Sequence, residues 1–134
     1  MLVYVDTSAL IALATSTDRY HSSAADYFRK AMDGGIRFIV GRPALVEYID
    51  GVTKRIGKSE AIKELRLLES TAVMRIEPDV EDDHRLGREL FLRYDDQAID
   101  MTDSLSFAIM DRLGLKEAFT FDRDFVVHGL TCRP

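Results

Sequence analysis

Apolar and polar positions along this chain follow two rhythms, one of short apolar runs and one of spaced apolar faces. Leu2-Val3-Tyr4-Val5, with two β-branched residues and one aromatic, predicts a buried strand. Asp6 follows it at once, and Ala9 to Ala14 is helical in character, with Thr7 or Ser8 expected as its cap. From Asp18 to Met32, residues Ala24, Ala25, Tyr27, Phe28, Ala31 and Met32 recur at helical spacing, until Gly34-Gly35 ends the segment. Phe38-Ile39-Val40 predicts a second strand, broken by Gly41-Arg42-Pro43, with Pro43 suited to a first helical turn. The helix that follows carries Ala44, Leu45, Tyr48, Ile49 and Val52 on one face and runs out by Gly57. Ser59 is the expected cap of a further helix, with Ala61, Ile62, Leu65 and Leu68 inward. Ala72 to Ile76 predicts a third strand, and Pro78-Asp79 opens a polar helix with Val80, Leu86, Leu90 and Phe91 inward. The acids of its first turn, Asp79, Glu81, Asp82 and Asp83, suit a positive helix N-terminus and need no functional explanation.

Near the C-terminus, Thr102 is the expected cap of an apolar helix that runs through Leu105, Phe107, Ala108, Ile109, Met110 and Leu113 to Gly114. Ala118 to Phe121 predicts a fourth strand, and Val126 to Leu130 a last edge strand. Strands alternating with helices predict an α/β layered domain with a central, mostly parallel sheet of four to five strands. No repeat, linker or low-complexity tract divides residues 1–134, so one domain is expected.

Composition narrows the class. A 46% hydrophobic content supplies a core, and no apolar run approaches the ~20 residues of a membrane helix. Leu2–Val5 is too short for a signal-peptide core and no basic segment precedes it, which predicts a cytoplasmic protein. Cys132 is the single cysteine and so forms no internal disulfide, consistent with a reducing compartment. Its place near the C-terminus predicts a loosely packed or exposed thiol rather than a catalytic one. The net charge of −5 argues against broad, charge-driven nucleic-acid binding, unless the acids converge and hold cations.

The placement of particular acids changes that picture. Asp6 and Asp122 each follow a short apolar strand, so both are expected at the carboxyl edge of the sheet, where open parallel sheets bind ligands. Asp103 opens the apolar helix and faces that edge, with Ser104 beside it as a hydrogen-bonding support. Glu47 sits in the first turns of an otherwise apolar helix, where a charge is costly unless it is paired, metal-bound or solvated. Carboxylates gathered in one mouth raise each other's pKa, and divalent cations relieve the repulsion. Oxygen-only ligands suit Mg2+ or Mn2+. His21, His84 and His128 are scattered without ligand spacing, which disfavours zinc. Such a carboxylate cluster suits phosphoryl transfer.

Asp6-Thr7-Ser8, Glu47, Thr102-Asp103-Ser104 and Thr120-Phe121-Asp122-Arg123-Asp124-Phe125 occur in this order over essentially the whole chain. The set resembles the PIN domain family, at the size of single-domain VapC-type toxins. The resemblance implies a three-layer α/β/α fold and a Mg2+-dependent endoribonuclease, the toxin of a toxin–antitoxin pair. It also implies an RNA substrate, a cognate antitoxin and a homodimer. Asp6, Glu47, Asp103 and Asp122 correspond to the catalytic acids, with Asp6, Asp103 and Asp122 on the metal and Asp124 as a possible fifth member. Glu47 would orient the attacking water. Asp100 is expected to cap, and Arg42, Lys54, Arg55 and Arg123 are candidates to guide the phosphate backbone. A receiver domain and a haloacid-dehalogenase-like phosphatase fit poorly, because Thr7 and Ser8 stand where those need a second acid. No glycine-rich phosphate loop is present. The remaining alternative is a catalytically inactive PIN-like module that binds RNA or protein. Tyr20, Tyr27, Phe28 and Tyr48 are open between core and partner surface, with Phe28 expected in the core.

Overall fold

All five strands lie in one parallel sheet, ordered β3-β2-β1-β4-β5. The computed structural model describes residues 1–134. In chain order the elements are β1 (Leu2–Val5), α1 (Thr7–Ala14), α2 (His21–Asp33), β2 (Arg37–Gly41), α3 (Arg42–Arg55), α4 (Lys58–Ser70), β3 (Met74–Glu77), α5 (Glu81–Arg93), α6 (Met101–Leu113), β4 (Glu117–Phe119), α7 (Asp124–Val127) and β5 (Thr131–Arg133). No helix is long and apolar enough to cross a membrane.

The two-residue period of the strands divides the core. Val3, Val5, Phe38, Val40 and Phe119 face one side and pack with α1 to α4. Tyr4, Ile39 and Ala118 face the other and pack with α5 to α7. Both faces are therefore covered, which explains why the strand sequences read as continuous apolar runs. Gly41 is required by close packing: a Cβ there would collide with the hydroxyl of Tyr4, which is buried and bonded to Ser106 Oγ at 2.7 Å. Phe28 stacks on Phe38 with centroids 5.0 Å apart, and Tyr27 packs edge-on against Phe119 at 4.8 Å, so both join the core. Tyr48 is buried and its hydroxyl donates to Glu64.

Several expectations are corrected. The cap of α1 is Asp6, not Thr7 or Ser8: Asp6 is extended and its carboxylate reaches the amide of Ser8. Asp100 caps α6 as expected, in place of Thr102, by accepting from the Asp103 amide at 2.9 Å. Ser59 lies inside α4, whose N-terminal cap is Gly57 at φ 144°. Val80, Phe91 and Ile62 are exposed. The inward stripe of α5 runs through Asp83, Gly87 and Leu90, an acid and a glycine that hydrophobicity does not mark. A Cβ at Gly87 would stand 2.9 Å from Leu105 Cδ2, so α5 and α6 touch at this point. The expected edge strand at Val126–Leu130 is instead the turn of helix α7 and a loop, with β5 following. Parallel pairing with β4 forces the chain to cross back over the sheet face before it can pair.

Chain order reverses direction between β1 and β4, which makes their carboxyl ends the topological switch point. Asp6 follows β1 directly and its amide bonds the carbonyl of Phe119 at 3.0 Å, so the two strand ends are tied together there.

Candidate active site

Asp6 is held rigidly by two hydroxyls. Its Oδ2 accepts from Ser8 Oγ at 2.8 Å, from Thr120 Oγ1 at 2.9 Å and from the Ser8 amide at 3.3 Å. Each hydroxyl also accepts from the turn after β4: Ser8 Oγ from the Phe121 amide at 3.0 Å, and Thr120 Oγ1 from the Asp122 amide at 2.9 Å. Ser8 and Thr120 thus lock the first acid to the segment that carries Asp122. All protein donors to Asp6 converge on Oδ2, leaving Oδ1 free of them. In the sequence this role is marked only by a hydroxyl two residues from each acid.

Asp103 is the opposite case. Only 8% of it is exposed, yet its carboxylate accepts no hydrogen bond from the protein. Ser104 does not support it, because its Oγ donates to the carbonyl of Asp100 at 2.9 Å. Burial, and then the charges of Asp100, Asp6, Asp122 and Glu47, push the Asp103 carboxyl up to about 8. Burial also raises Asp6, and burial together with Asp122 raises Asp124. Carboxylate oxygens of Asp103, Asp122 and Asp124 lie within 4.8 Å of one another. The Asp124 amide donates to Asp122 Oδ1 at 2.8 Å, which fixes the pair on its turn.

Glu47 is exposed on α3 and is not among the three acids that lie this close; its charge nevertheless reaches Asp103. It also lines an apolar cleft of about 830 Å³ between α1, α3 and α4, to which Leu10, Tyr48, Val52 and Leu68 contribute. Arg42, Lys54, Arg55 and Arg123 are all exposed. The histidines bond elsewhere: His21 with the carbonyl of Ala12, His84 with Asp79, and His128 with Tyr94 and Asp111. Cys132 is half-buried in β5, its Sγ 3.9 Å from the carbonyl oxygen of Asp122, and burial raises its thiol.

The donor set is all oxygen and crowded, with Asp103 free of protein donors, which is the chemistry of a site for a hard divalent ion. A carboxyl raised on folding contributes stability that is full below its unfolded pKa and is lost as pH climbs through the folded one. For Asp103 that window runs from about pH 4 to about pH 8. Metal-free protein is therefore expected to melt higher at pH 5 than the Asp103 contribution allows at pH 8, and Mn2+ should narrow the gap. Scanning fluorimetry at both pH values checks this; a gap that Mn2+ leaves unchanged would contradict it.

Fold and site together define an α/β domain with a carboxylate mouth at the switch point of its sheet. The family model described as "PIN domain" matches residues 3–129, and the chain belongs to the PIN domain family. Among curated proteins it is similar to the 23S rRNA-specific endonuclease VapC20 of Mycobacterium tuberculosis, at 28% identity over 96% of this chain and 95% of that protein. The crystal structure of that protein, described as a sarcin–ricin loop cleaving toxin, superposes with a TM-score of 0.88 at 26% identity, covering 98% of this chain and 99% of the other. VapBC2 from Rickettsia felis, bound to a promoter DNA fragment, gives a TM-score of 0.76 at 15% identity, with 99% and 98% of the two chains covered. A toxin–antitoxin complex from Klebsiella pneumoniae gives 0.64 at 16% identity, with 90% and 87% covered. These last two support the fold.

Proposed function

We propose that this chain is a metal-dependent endoribonuclease that hydrolyses RNA phosphodiester bonds and serves as the toxin of a toxin–antitoxin pair. The observation that carries the reading is Asp103, whose carboxylate has no protein donor, opens into the mouth and lies with those of Asp122 and Asp124 within 4.8 Å. Such a group is tolerable when a cation compensates it. Asp6, Asp103 and Asp122 would hold a Mg2+ or Mn2+ ion, with Asp124 as an additional carboxylate. When bound, the ion supplies positive charge for the developing phosphate oxyanion and activation of the attacking water. Glu47 would accept a hydrogen bond from the attacking water and orient it. Ser8 and Thr120 keep Asp6 in place, so the mouth needs no reorganisation when substrate arrives. Of the exposed basic candidates, Arg123 beside Asp122 and Arg42 at the start of α3 would guide the flanking backbone near the mouth, while Lys54 and Arg55, at the other end of α3, would serve only a more distant stretch.

The relative's substrate makes a sarcin–ricin hairpin of 23S rRNA the first RNA to test. An RNA substrate implies a cytoplasmic site of action. The family resemblance favours a homodimer, and the toxin–antitoxin complexes among the solved relatives favour restraint by an antitoxin, for which the apolar cleft beside Glu47 is a fitting seat. The domain is taken as single over residues 1–134. The test is a Mn2+ titration by calorimetry together with cleavage of the labelled hairpin, with and without EDTA. Heat of binding and metal-dependent cleavage are expected. Bound but intact RNA in a protein that takes up no Mn2+ would instead describe an inactive binding module.

A further inference from the structure

Binding RNA is electrostatically awkward for this chain, whose net charge is −5 and whose proposed site is a ring of acids. Several of its basic residues are already committed: Arg29 and Lys30 pair with Asp26, Arg75 with Glu77, Arg85 with Asp82, Arg112 with Asp83, and Arg133 with Glu117. Arg19 pairs with no carboxylate, yet it is not loose. Its guanidinium carbon lies 4.5 Å from the centroid of the Tyr20 ring, and its Nη2 donates to the Tyr20 hydroxyl. Tyr20 in turn stacks on Phe121, with centroids 4.4 Å apart and planes 9° from parallel.

This stack is anchored at both ends. Asp18 Oδ1 accepts from the Tyr20 amide at 2.8 Å, which fixes the turn; its charge still reaches the Arg19 guanidinium without a direct ion pair. His21 Nδ1 lies 2.8 Å from the carbonyl of Ala12, pinning the start of α2 to α1. Phe121 precedes Asp122, and its amide bonds the Ser8 hydroxyl that holds Asp6. Contacts therefore run unbroken from Asp6 through Ser8, Phe121 and Tyr20 to an uncommitted cation. A guanidinium on an aromatic face keeps hydrogen-bond donors available, and phosphate matches their fork. Its side-chain order is established before any ligand binds.

We infer that Arg19, held by the Tyr20–Phe121 ring stack, contacts a backbone phosphate of the RNA next to the scissile bond. Tyr20 and Phe121 act as positioning residues, Arg19 as a substrate-binding one. The inference rests on the endoribonuclease reading and extends it to a residue the motif does not include.

Steady-state cleavage of the labelled hairpin in Mn2+ at several salt concentrations tests it, comparing wild type, Arg19→Ala, Arg19→Lys and Tyr20→Ala. Arg19→Ala is expected to raise KM about tenfold with kcat within twofold. Its plot of log kcat/KM against log salt should become shallower by ~0.7, the loss of one single-strand phosphate contact. Arg19→Lys should keep the wild-type salt slope, and Tyr20→Ala should show part of the KM increase. A stabilising contact alone would move neither slope nor KM. Wild-type KM and slope in Arg19→Ala overturn the inference and leave the nuclease reading intact. Loss of kcat at constant KM also overturns it. A wild type that cleaves nothing in any metal removes the nuclease reading, and this inference falls with it.

Discussion

Replacing Asp103 by Asn is expected to lower metal-dependent RNA cleavage by about a thousandfold or more while making the metal-free protein harder to melt. The two effects share one cause. Asp103 is 8% exposed, has no protein donor, and faces the charges of Asp100, Asp6, Asp122 and Glu47. Its carboxyl is raised to about 8, so at neutral pH the folded state carries a proton that the unfolded chain would release. An amide of the same shape needs no such proton. Discounted for the water that reaches the mouth, the gain is about 2 kcal/mol, or ~6 °C for a chain of this length. The increment should be larger at pH 8 than at pH 5, because the penalty grows between the unfolded and folded pKa values. Mn2+ should raise the melting temperature of wild type and leave the variant nearly unmoved. The decisive comparison is fluorimetry in EDTA and in Mn2+ beside a cleavage assay. A variant that melts below wild type in EDTA would mean that something other than a cation compensates Asp103.

Much of this site was legible because strand ends and helix starts are marked locally. Asp6 sits between an apolar run and a helical one, and Asp122 follows another apolar run, so parallel-sheet topology alone carries both to one edge. The hydroxyl partners were legible as letters but not as bonds. Ser8 and Asp6 are close in the chain, whereas Thr120 meets Asp6 across 114 positions, a pairing that only the β1–β4 neighbourhood creates. The cap of α1 was misplaced for a related reason: propensity does not say which of the adjacent capping types Asp6, Thr7 and Ser8 takes the extended backbone. Glu47 lies off the apolar face of its helix and is solvated, one of the readings its position allows, and what periodicity does not convey is that its charge still bears on Asp103.

The last edge of the sheet shows a different limit. Val126 and Val127 are β-branched and invite a strand, but they lie on the return path that a parallel neighbour of β4 requires. Local preference gives way there to connectivity. The consequence for the site is direct, since the turn into α7 is what places Asp124 against Asp122.

Asp83→Ala is expected to destabilise the fold by about 3 kcal/mol, roughly 10 °C, whereas Asp82→Ala one position earlier should stay within about 0.5 kcal/mol. Helix-dipole reasoning treats these two first-turn acids alike. Their surroundings differ: Asp83 is 2% exposed, and the Asp82 side chain is 74% exposed and paired only with Arg85. Asp83 accepts from Arg112 Nε at 3.0 and 3.2 Å and from Nη2 at 3.0 Å. Its Oδ2 also caps the Val80 amide at 2.9 Å. Removing the carboxylate leaves that amide without its partner and takes the closest ion pair from Arg112. The Arg112 side chain is 30% exposed and keeps its bond to the carbonyl of Pro78 and its pairing with Glu77 at 3.7 Å, which holds the loss to the lower end for a broken pair. Asp83→Asn should fall between the two, since its oxygen can still cap Val80. The pair clamps α5 to α6, the helix that presents Asp103, so Mn2+ should also bind Asp83→Ala more weakly at temperatures below its melt. Chemical denaturation of the three variants measures the ordering, and equal losses at Asp82 and Asp83 would return the acidic turn to a simple dipole role.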